Sequence, residues 1–245
     1  MEMDEDRIDR YNFNKPYEFI KLVSGISTDI LPSLDWDKNI FIWLDYDSKI
    51  SSSILDDIQI ICNSIKPGGI LVITVDAEPK RFKIDDNEIG TQEKQLLENF
   101  KNNLHPYYPH DIAPREMSLK KFPELLRKII SERIQENVSR REIDAFQIFN
   151  FVYKDTSQMH TFGCVFEKSR DDLEQSGIFT QKFVSDNEKI IEINVPIITP
   201  SEKIHFDKLI PGIAKKLEEF DISEILLENY EKYYKYYPQY FEALL

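Results

Sequence analysis

Glycine and cysteine are both scarce in this sequence, with seven glycines and two cysteines among 245 residues. Cys62 and Cys164 stand in apolar segments, and neither has a second cysteine or a histidine at a metal-binding spacing. We therefore expect two reduced core thiols, with no disulfide framework and no bound metal. None of the glycines forms G-x-G, so the sequence shows no glycine-rich turn of the kind that cradles a nucleotide.

Long apolar runs and an excess of positive charge are also missing. No run approaches the roughly 18 apolar residues of a membrane span, so we expect no membrane insertion. Acidic residues outnumber basic ones by 44 to 31, which gives a formal net charge of −13. Such a chain repels phosphate backbones, so general nucleic-acid binding is not expected. The opening residues, MEMDEDRIDR, lack the apolar core of a secretion signal, which predicts a cytoplasmic protein.

The clearest pattern that is present lies between residues 39 and 79. NIFIWLDYD (39–47) is almost wholly apolar before its acids, which is typical of a strand buried on both faces of a parallel sheet. A helix is predicted from Ser51 to Ile65, and the turn KPGG leads to a second apolar strand, ILVITVDAEP (70–79). Two such strands around one helix predict a βαβ unit. One face of the helix is apolar and comprises Ile54, Leu55, Ile58, Ile61, Cys62 and Ile65.

Other segments are predicted from their own patterns. YEFIKLVSG (17–25) alternates apolar residues and predicts a strand that is stopped by Gly25. Residues 79–142 lack strand signals and predict a helical insertion, with helices at about 91–104 and 118–138. Residues 145–168 predict an antiparallel hairpin with its turn near Thr156–Gln158.

Tyrosines dominate the predicted C-terminal helix, over 223–245. Such a stripe is typical of a docking surface, either for the chain's own core or for a protein partner or second copy. Its members recur at steps of three and four residues: Tyr230, Tyr233, Tyr234, Tyr237, Phe241 and Leu244.

The segments RYNFNKPYEFIKLVSG, IFIWLDYDSKISSSILDDI and KPGGILVITVDAEP together resemble class I S-adenosylmethionine-dependent methyltransferases. More narrowly, they resemble a bacterial O-methyltransferase family. The resemblance implies an α/β fold with a Rossmann-like methyltransferase sheet and an antiparallel hairpin at its end. The predicted domain covers 1–168 and includes the helical insertion at 79–142. A strand and helix extension follows at 169–245.

The same resemblance implies S-adenosylmethionine as the cofactor and a small molecule or a protein as the methyl acceptor. Its cofactor residues would be Glu2 at the ribose, with Gly25, Ser27 and Asp45 nearby; Asp4 and Glu5 are alternatives to Glu2. The family's glycine-rich turn and first central strand have no match, so the sheet is expected to be N-terminally incomplete. We expect weak cofactor binding and no methyl transfer by this chain alone, from either a truncated or a degenerate enzyme. The alternative is a non-catalytic interaction module.

Asp45 and Asp47 end the first buried strand, where ligands bind in open α/β sheets. Because residues two apart in a strand point the same way, both carboxylates can face one ligand. Three interpretations stand. In a methyltransferase, Asp45 lies near the methyl donor and Asp47 orients the acceptor. In a dehalogenase-like phosphatase they would be a nucleophile and a general acid, although Lys49 replaces the expected Thr or Val. Otherwise both acids are solvated.

Smaller sets of polar residues carry weaker signals. Asp76 and Glu78 follow the second strand, so they are predicted to line the same cleft or to form a turn. His105 and His110 lie five residues apart in a proline-broken loop, where a surface-loop interpretation is favoured over a pair of metal ligands.

Overall fold

The computed structural model describes residues 5–83, 92–109, 111–154, 156–213 and 222–237. The chain forms two compact units, Met1–Glu192 and Ile193–Leu245. None of the helices within the described residues is long and apolar enough to cross a membrane.

The sheet has five strands in the order β1-β2-β4-β3-β5. β1 and β2 are parallel, whereas β4 runs antiparallel to both β2 and β3. This mixed sheet confirms the predicted α/β, Rossmann-like fold with an antiparallel hairpin at its end. The strands are β1 (Phe41–Lys49), β2 (Ile70–Asp76), β3 (Asp144–Lys154), β4 (Gln158–Glu167) and β5 (Ile191–Ile193).

The helices of the first unit confirm the predicted βαβ helix and both helices of the insertion, within a few residues at their ends. They are α1 (Ile8–Asn14), α2 (Ser27–Ile30), α3 (Ser52–Ser64), α4 (Gln92–Leu104), α5 (Phe122–Val138) and α6 (Arg170–Ser176).

The KPGG turn connects α3 to β2 as predicted. Gly68 adopts a φ of +84°, a conformation that costs a residue with a side chain more than it costs glycine. The Ile70 amide then donates to the Ile40 carbonyl at 2.9 Å, and Phe41 aligns with Ile70 as the ladder begins. The turn therefore fixes the register in which β1 and β2 pair.

One face of the sheet carries the main core. Ile42 and Leu44 of β1 are buried there with the apolar face of α3 and residues of α4 and α5. The rings of Phe82, Phe100 and Phe122 meet edge to face, with centroids 5.0–5.8 Å apart. The core on this face of the sheet is the main source of hydrophobic stabilisation for the first unit, because burial of apolar area drives folding.

The hairpin contains an irregularity that the sequence did not predict. The pairing of β3 with β4 shifts between Gln147 and Phe149. The ring of Phe149 then lies over Gly163, where an added Cβ atom would come within 2.6 Å of the Phe149 Cδ2 atom. Gly163 is therefore required by a close approach rather than by a turn.

The predicted strand at 17–25 is wrong. Residues 17–19 form a bend and a turn and residues 20–23 are irregular, with a single isolated bridge at Ser24 and a bend at Gly25. Tyr17 and Phe19 are exposed, and their rings stack on each other at 5.3 Å. Alternating apolar residues make a strand only where a neighbouring strand pairs with the backbone, and the sequence pattern does not report that neighbour.

The second unit contains α7 (Pro200–Asp207) and α8 (Glu224–Tyr233) around a small core. Phe206, Ile213, Leu227 and Tyr230 are buried in it, and the Tyr230 hydroxyl donates to Asp207 Oδ1 at 2.5 Å. Tyr233 is also buried, and Tyr234 and Tyr237 are half-buried. The described part of the tyrosine stripe thus packs largely within the chain. Phe241 and Leu244 lie outside the described residues.

Candidate functional site

The carboxyl ends of β1 and β2 lie at one edge of the sheet. Asp45 aligns with Thr74, and Lys49 aligns with Asp76. Since the two strands are parallel, the acidic residues that follow their apolar runs meet at the same edge, as predicted. This is the edge at which open α/β sheets bind their ligands.

Asp45 and Asp47 are the available acids of this edge. Ile42 and Leu44 are buried, whereas the alternate residues Trp43 and Asp45 are exposed, and Asp47 is exposed as well. Within the described ranges, neither carboxylate forms a side-chain hydrogen bond or an ion pair. The fold therefore gains no visible contact from these two charges, and both are free to meet a ligand.

Asp76 and Glu78 instead hold the turn after β2. Asp76 Oδ1 accepts from the Glu78 amide at 2.8 Å, and its Oδ2 accepts from Arg81 Nε at 2.7 Å. Glu78 Oε1 accepts from the Gln158 amide at 3.1 Å, and Lys80 pairs with its Oε2. The ammonium of Lys80 is the main cause that lowers the pKa of Glu78. Both side chains are buried, so their partners are needed for folding.

The predicted cofactor residues have different environments. Gly25 lies in the bend before α2 with a φ of +132°. The Ser27 hydroxyl donates to Asp57 Oδ2, so its proton is engaged inside the chain. Asp45 is exposed at the strand edge, and Glu2 lies outside the described residues. The structure thus brings Ser27 against α3, while the roles assigned to Glu2, Gly25, Ser27 and Asp45 stay predictions.

Asp57 is a buried acid that sequence reasoning missed. Besides Ser27, the Thr28 hydroxyl donates to its Oδ1 at 2.9 Å and the Tyr46 hydroxyl donates to its Oδ2 at 2.6 Å. Burial, followed by the Asp57 carboxylate, raises the pKa of Tyr46. The acid therefore ties α2 and β1 to α3. A signal was available, since position 57 falls on the apolar face of α3 between Ile54 and Ile61.

Trp43 is the second residue that sequence reasoning missed. Its indole Nε1 donates to the Thr74 hydroxyl at 3.1 Å, and that hydroxyl pairs with Thr161 at 2.9 Å. Trp43 shares a sheet face with Asp45 and keeps 57% of its surface exposed. An anchored but open aromatic ring next to a free carboxylate suits a ligand with a flat or cationic part.

The two loop histidines are not brought into a site by the described residues. His105 is exposed, with its ring 6.4 Å from that of Tyr108. His110 lies outside the described residues, so the interpretation of the pair stays open.

The mixed sheet is that of an α/β protein with a Rossmann-like, methyltransferase-type fold. The model of one protein family, described as "Putative O-methyltransferase", matches residues 1–245. The chain belongs to this family, in agreement with the resemblance carried by its N-terminal motifs. A search of curated proteins finds no match to the chain.

Proposed function

We propose that this chain is an S-adenosylmethionine-dependent O-methyltransferase that acts on a hydroxyl group of a small molecule or a protein. One observation carries the proposal. Of the acids at the ligand edge, Asp45 and Asp47 are exposed and free of partners among the described residues, whereas Asp76 and Glu78 are used by the fold. Charges that do not support folding, placed where such folds bind ligands, favour a functional role.

The described residues fit one end of the proposed cofactor. S-adenosylmethionine, when bound, supplies an electrophilic methyl group next to positive charge, and the exposed Asp45 carboxylate suits that charge. Ser27 fits less well, because its hydroxyl already donates to the buried Asp57. We therefore assign Asp45 to the cationic end of the cofactor and expect only weak binding by this chain.

Asp47 is assigned to the acceptor. Its carboxylate accepts a hydrogen bond from the acceptor hydroxyl and orients the oxygen. In methyl transfer the acceptor oxygen would replace the sulfur on the methyl carbon, with S-adenosylhomocysteine as the leaving group, and Asp47 would take the hydroxyl proton as a general base. Trp43, beside Asp45, supplies an aromatic surface against which a ligand can lie.

The cofactor assignment predicts a weak, Asp45-dependent interaction. A single charged hydrogen bond contributes about 1.5–3 kcal/mol, whereas micromolar binding needs about 8 kcal/mol. Calorimetric titration of the 245-residue chain with S-adenosylmethionine should therefore give a Kd well above the micromolar range, and Asp45→Asn should weaken it about tenfold. Micromolar binding that Asp45→Asn leaves unchanged would contradict this assignment.

The acceptor assignment predicts a separation of activity from stability. Transfer of a labelled methyl group to phenol, catechol and N-acetylserine is measured at micromolar and millimolar S-adenosylmethionine. We expect none at micromolar cofactor, which is the condition to which the expected absence of methyl transfer now applies, because the weak site is occupied only at millimolar cofactor. Transfer at millimolar cofactor should fall about 10²-fold in Asp47→Asn, with an unchanged melting temperature because Asp47 is exposed. The control Asp76→Asn should lower the melting temperature, since the amide can still accept from the Glu78 backbone but loses the charged bond from Arg81.

The control outcomes separate the candidate functions. Methyl transfer that does not respond to Asp47→Asn would remove Asp47 from the mechanism. If no cofactor binding and no transfer are found even at millimolar S-adenosylmethionine, the non-catalytic interaction module is favoured instead.

A further inference from the structure

A cleft of about 690 Å³ opens between the C-terminal halves of α3 and α5. All the residues that line this arginine cleft are polar or charged, and they include three arginines but only one acid. The charged residues are Arg133, Arg140, Arg141 and Glu136. The cleft therefore has an excess of two positive charges, in a chain whose formal net charge is −13.

The arginine cleft lies at the end of the sheet opposite to the candidate site. α3 begins after the carboxyl end of β1 and ends before the KPGG turn, and residues 140–141 shortly precede β3. β2 and β3 begin at the same edge, because Ile70 and Phe146 both align with Val165 of β4. A ligand in this cleft would therefore leave the edge with the two free acids open.

Arg141 is held in place by the end of α3. Its Nη2 donates to the Ile65 carbonyl at 2.7 Å, and its Nη1 donates to the Cys62 carbonyl. Both acceptors are neutral, so these hydrogen bonds fix the guanidinium group without pairing its charge with an anion.

Arg133 is fixed in a similar way from α5. Its Nε donates to the Leu55 carbonyl at 3.3 Å, and its Nη2 donates to the amide oxygen of Gln59. The Glu136 carboxylate is 3.7 Å from Nη1, beyond ordinary hydrogen-bond length, and its side chain is largely exposed. Because an exposed ion pair contributes little, Glu136 offsets only part of the positive charge in the cleft.

Arg140 is the cation of the cleft that the fold does not use. It is exposed, and within the described ranges it forms no hydrogen bond or ion pair. Asn63, on the α3 side of the cleft, is also exposed and has no side-chain partner in the same part of the chain. The cleft thus combines two fixed guanidinium groups with a third that can close onto a ligand.

We propose that the arginine cleft binds a small molecule that carries a phosphate group. The planar guanidinium group matches phosphate oxygens with two parallel hydrogen bonds. A phosphate monoester carries a charge of about −1.5 to −2 at neutral pH, which balances the excess of two positive charges. The volume is that of a small-molecule site, whereas a nucleic acid would be repelled by the rest of the acidic chain. Fixed cations also lose little conformational freedom on binding.

Titration of the isotope-labelled chain, followed by NMR, tests the site with two probes, inorganic phosphate and glycerol 3-phosphate. At low salt, either probe should shift the Arg140 and Asn63 signals in a saturable way, and tighter binding of glycerol 3-phosphate would identify a phosphate ester as the ligand. Arg140→Gln should raise the Kd about tenfold. Arg140→Lys should raise it less, because it keeps the charge but loses the planar fork. Neither substitution should change the melting temperature, since Arg140 is exposed.

The matched control is Arg115→Gln, at an exposed arginine of the short 3₁₀ helix Pro114–Met117, outside the cleft. It removes the same charge and should leave the Kd unchanged. Equal Kd values for Arg140→Gln and Arg115→Gln would overturn the location, and acetate that binds as tightly as phosphate would overturn the phosphate class. If neither probe gives saturable shifts at millimolar concentrations, the proposal fails. The titrations contain no S-adenosylmethionine, so their outcome does not depend on the proposed function.

Discussion

Lowering the pH from 7.5 to 5 should cost this protein about 2 kcal/mol of folding stability through one buried imidazole. His160 of β4 is fully buried, and burial is the main cause that lowers its pKa from 6.5 to about 3, with the nearby Arg127 guanidinium adding to it. Below pH 6.5 the His160 imidazole therefore binds a proton in the unfolded chain but stays neutral in the folded chain. Stability is complete above pH 6.5 and falls by about 1.4 kcal/mol per pH unit between the two pKa values.

The hydrogen bonds explain why His160 stays neutral. The Asn150 amide nitrogen donates to the Glu188 carbonyl at 3.1 Å, so its oxygen faces His160 and accepts from Nε2 at 2.9 Å. His160 Nδ1 has no hydrogen-bond partner among the described residues. Protonation of Nδ1 would therefore place a positive charge in the interior, on a ring whose new N–H has no acceptor.

Urea denaturation at pH values from 5 to 7.5 measures the effect. His160→Gln should flatten the pH dependence, whatever it costs at neutral pH, because the substitution removes the titrating group. His105→Gln, at an exposed loop histidine, should leave the slope as it is. A wild-type chain equally stable at pH 5 and pH 7.5 would show that His160 is not held neutral.

The other large effect is expected at Asp57. Asp57→Ala should lower the free energy of unfolding by about 3–5 kcal/mol, since hydrogen bonds to a charged group contribute about 1.5–3 kcal/mol each and neighbouring losses do not add fully. The substitution leaves the hydroxyls of Ser27, Thr28 and Tyr46 without their acceptor. It also releases α2 and β1 from α3.

The adjacent acid supplies the control. Asp56 is half-buried and accepts one hydrogen bond, from the Tyr107 hydroxyl at 2.7 Å. Asp56→Ala should cost about 1 kcal/mol. If the two variants have equal denaturation midpoints, Asp57 contributes no more to stability than Asp56 does. The hydrogen bonds by which Asp57 connects α2 and β1 to α3 would then not stabilise the fold.

The βαβ unit was predictable because each of its signals is local. The apolar run before Asp45, the helical face on α3 and the glycine turn at Gly68 each specify their own geometry. The segment 17–25 shows the limit of local signals. Its alternation resembles a strand, but a strand is completed by the hydrogen bonds of a neighbour, and the pattern contains no information about that neighbour.

In the candidate site, too, the residues with local signals could be predicted, and those that depend on distant partners could not. The edge at which Asp45 and Asp47 lie could be predicted, because they end an apolar strand. The prediction that this strand is buried on both faces is wrong, since Phe41 and Trp43 are exposed. The structural use of Asp76 could not, since it depends on Arg81 and on the fold of the turn. Asp57 was detectable as an acid on an apolar helix face. His160 gave no signal, because its neutrality depends mainly on its burial in the folded chain, and its one hydrogen bond is to Asn150 in another strand.

The contact between Phe149 and Gly163 constrains how this hairpin can change in evolution. The ring occupies the space that any side chain at position 163 would need, with only 2.6 Å to an added Cβ atom. A larger residue at 163 is therefore acceptable only after the aromatic residue at 149 has been lost. The two positions, on neighbouring strands, form a coupled pair in which the order of substitutions matters.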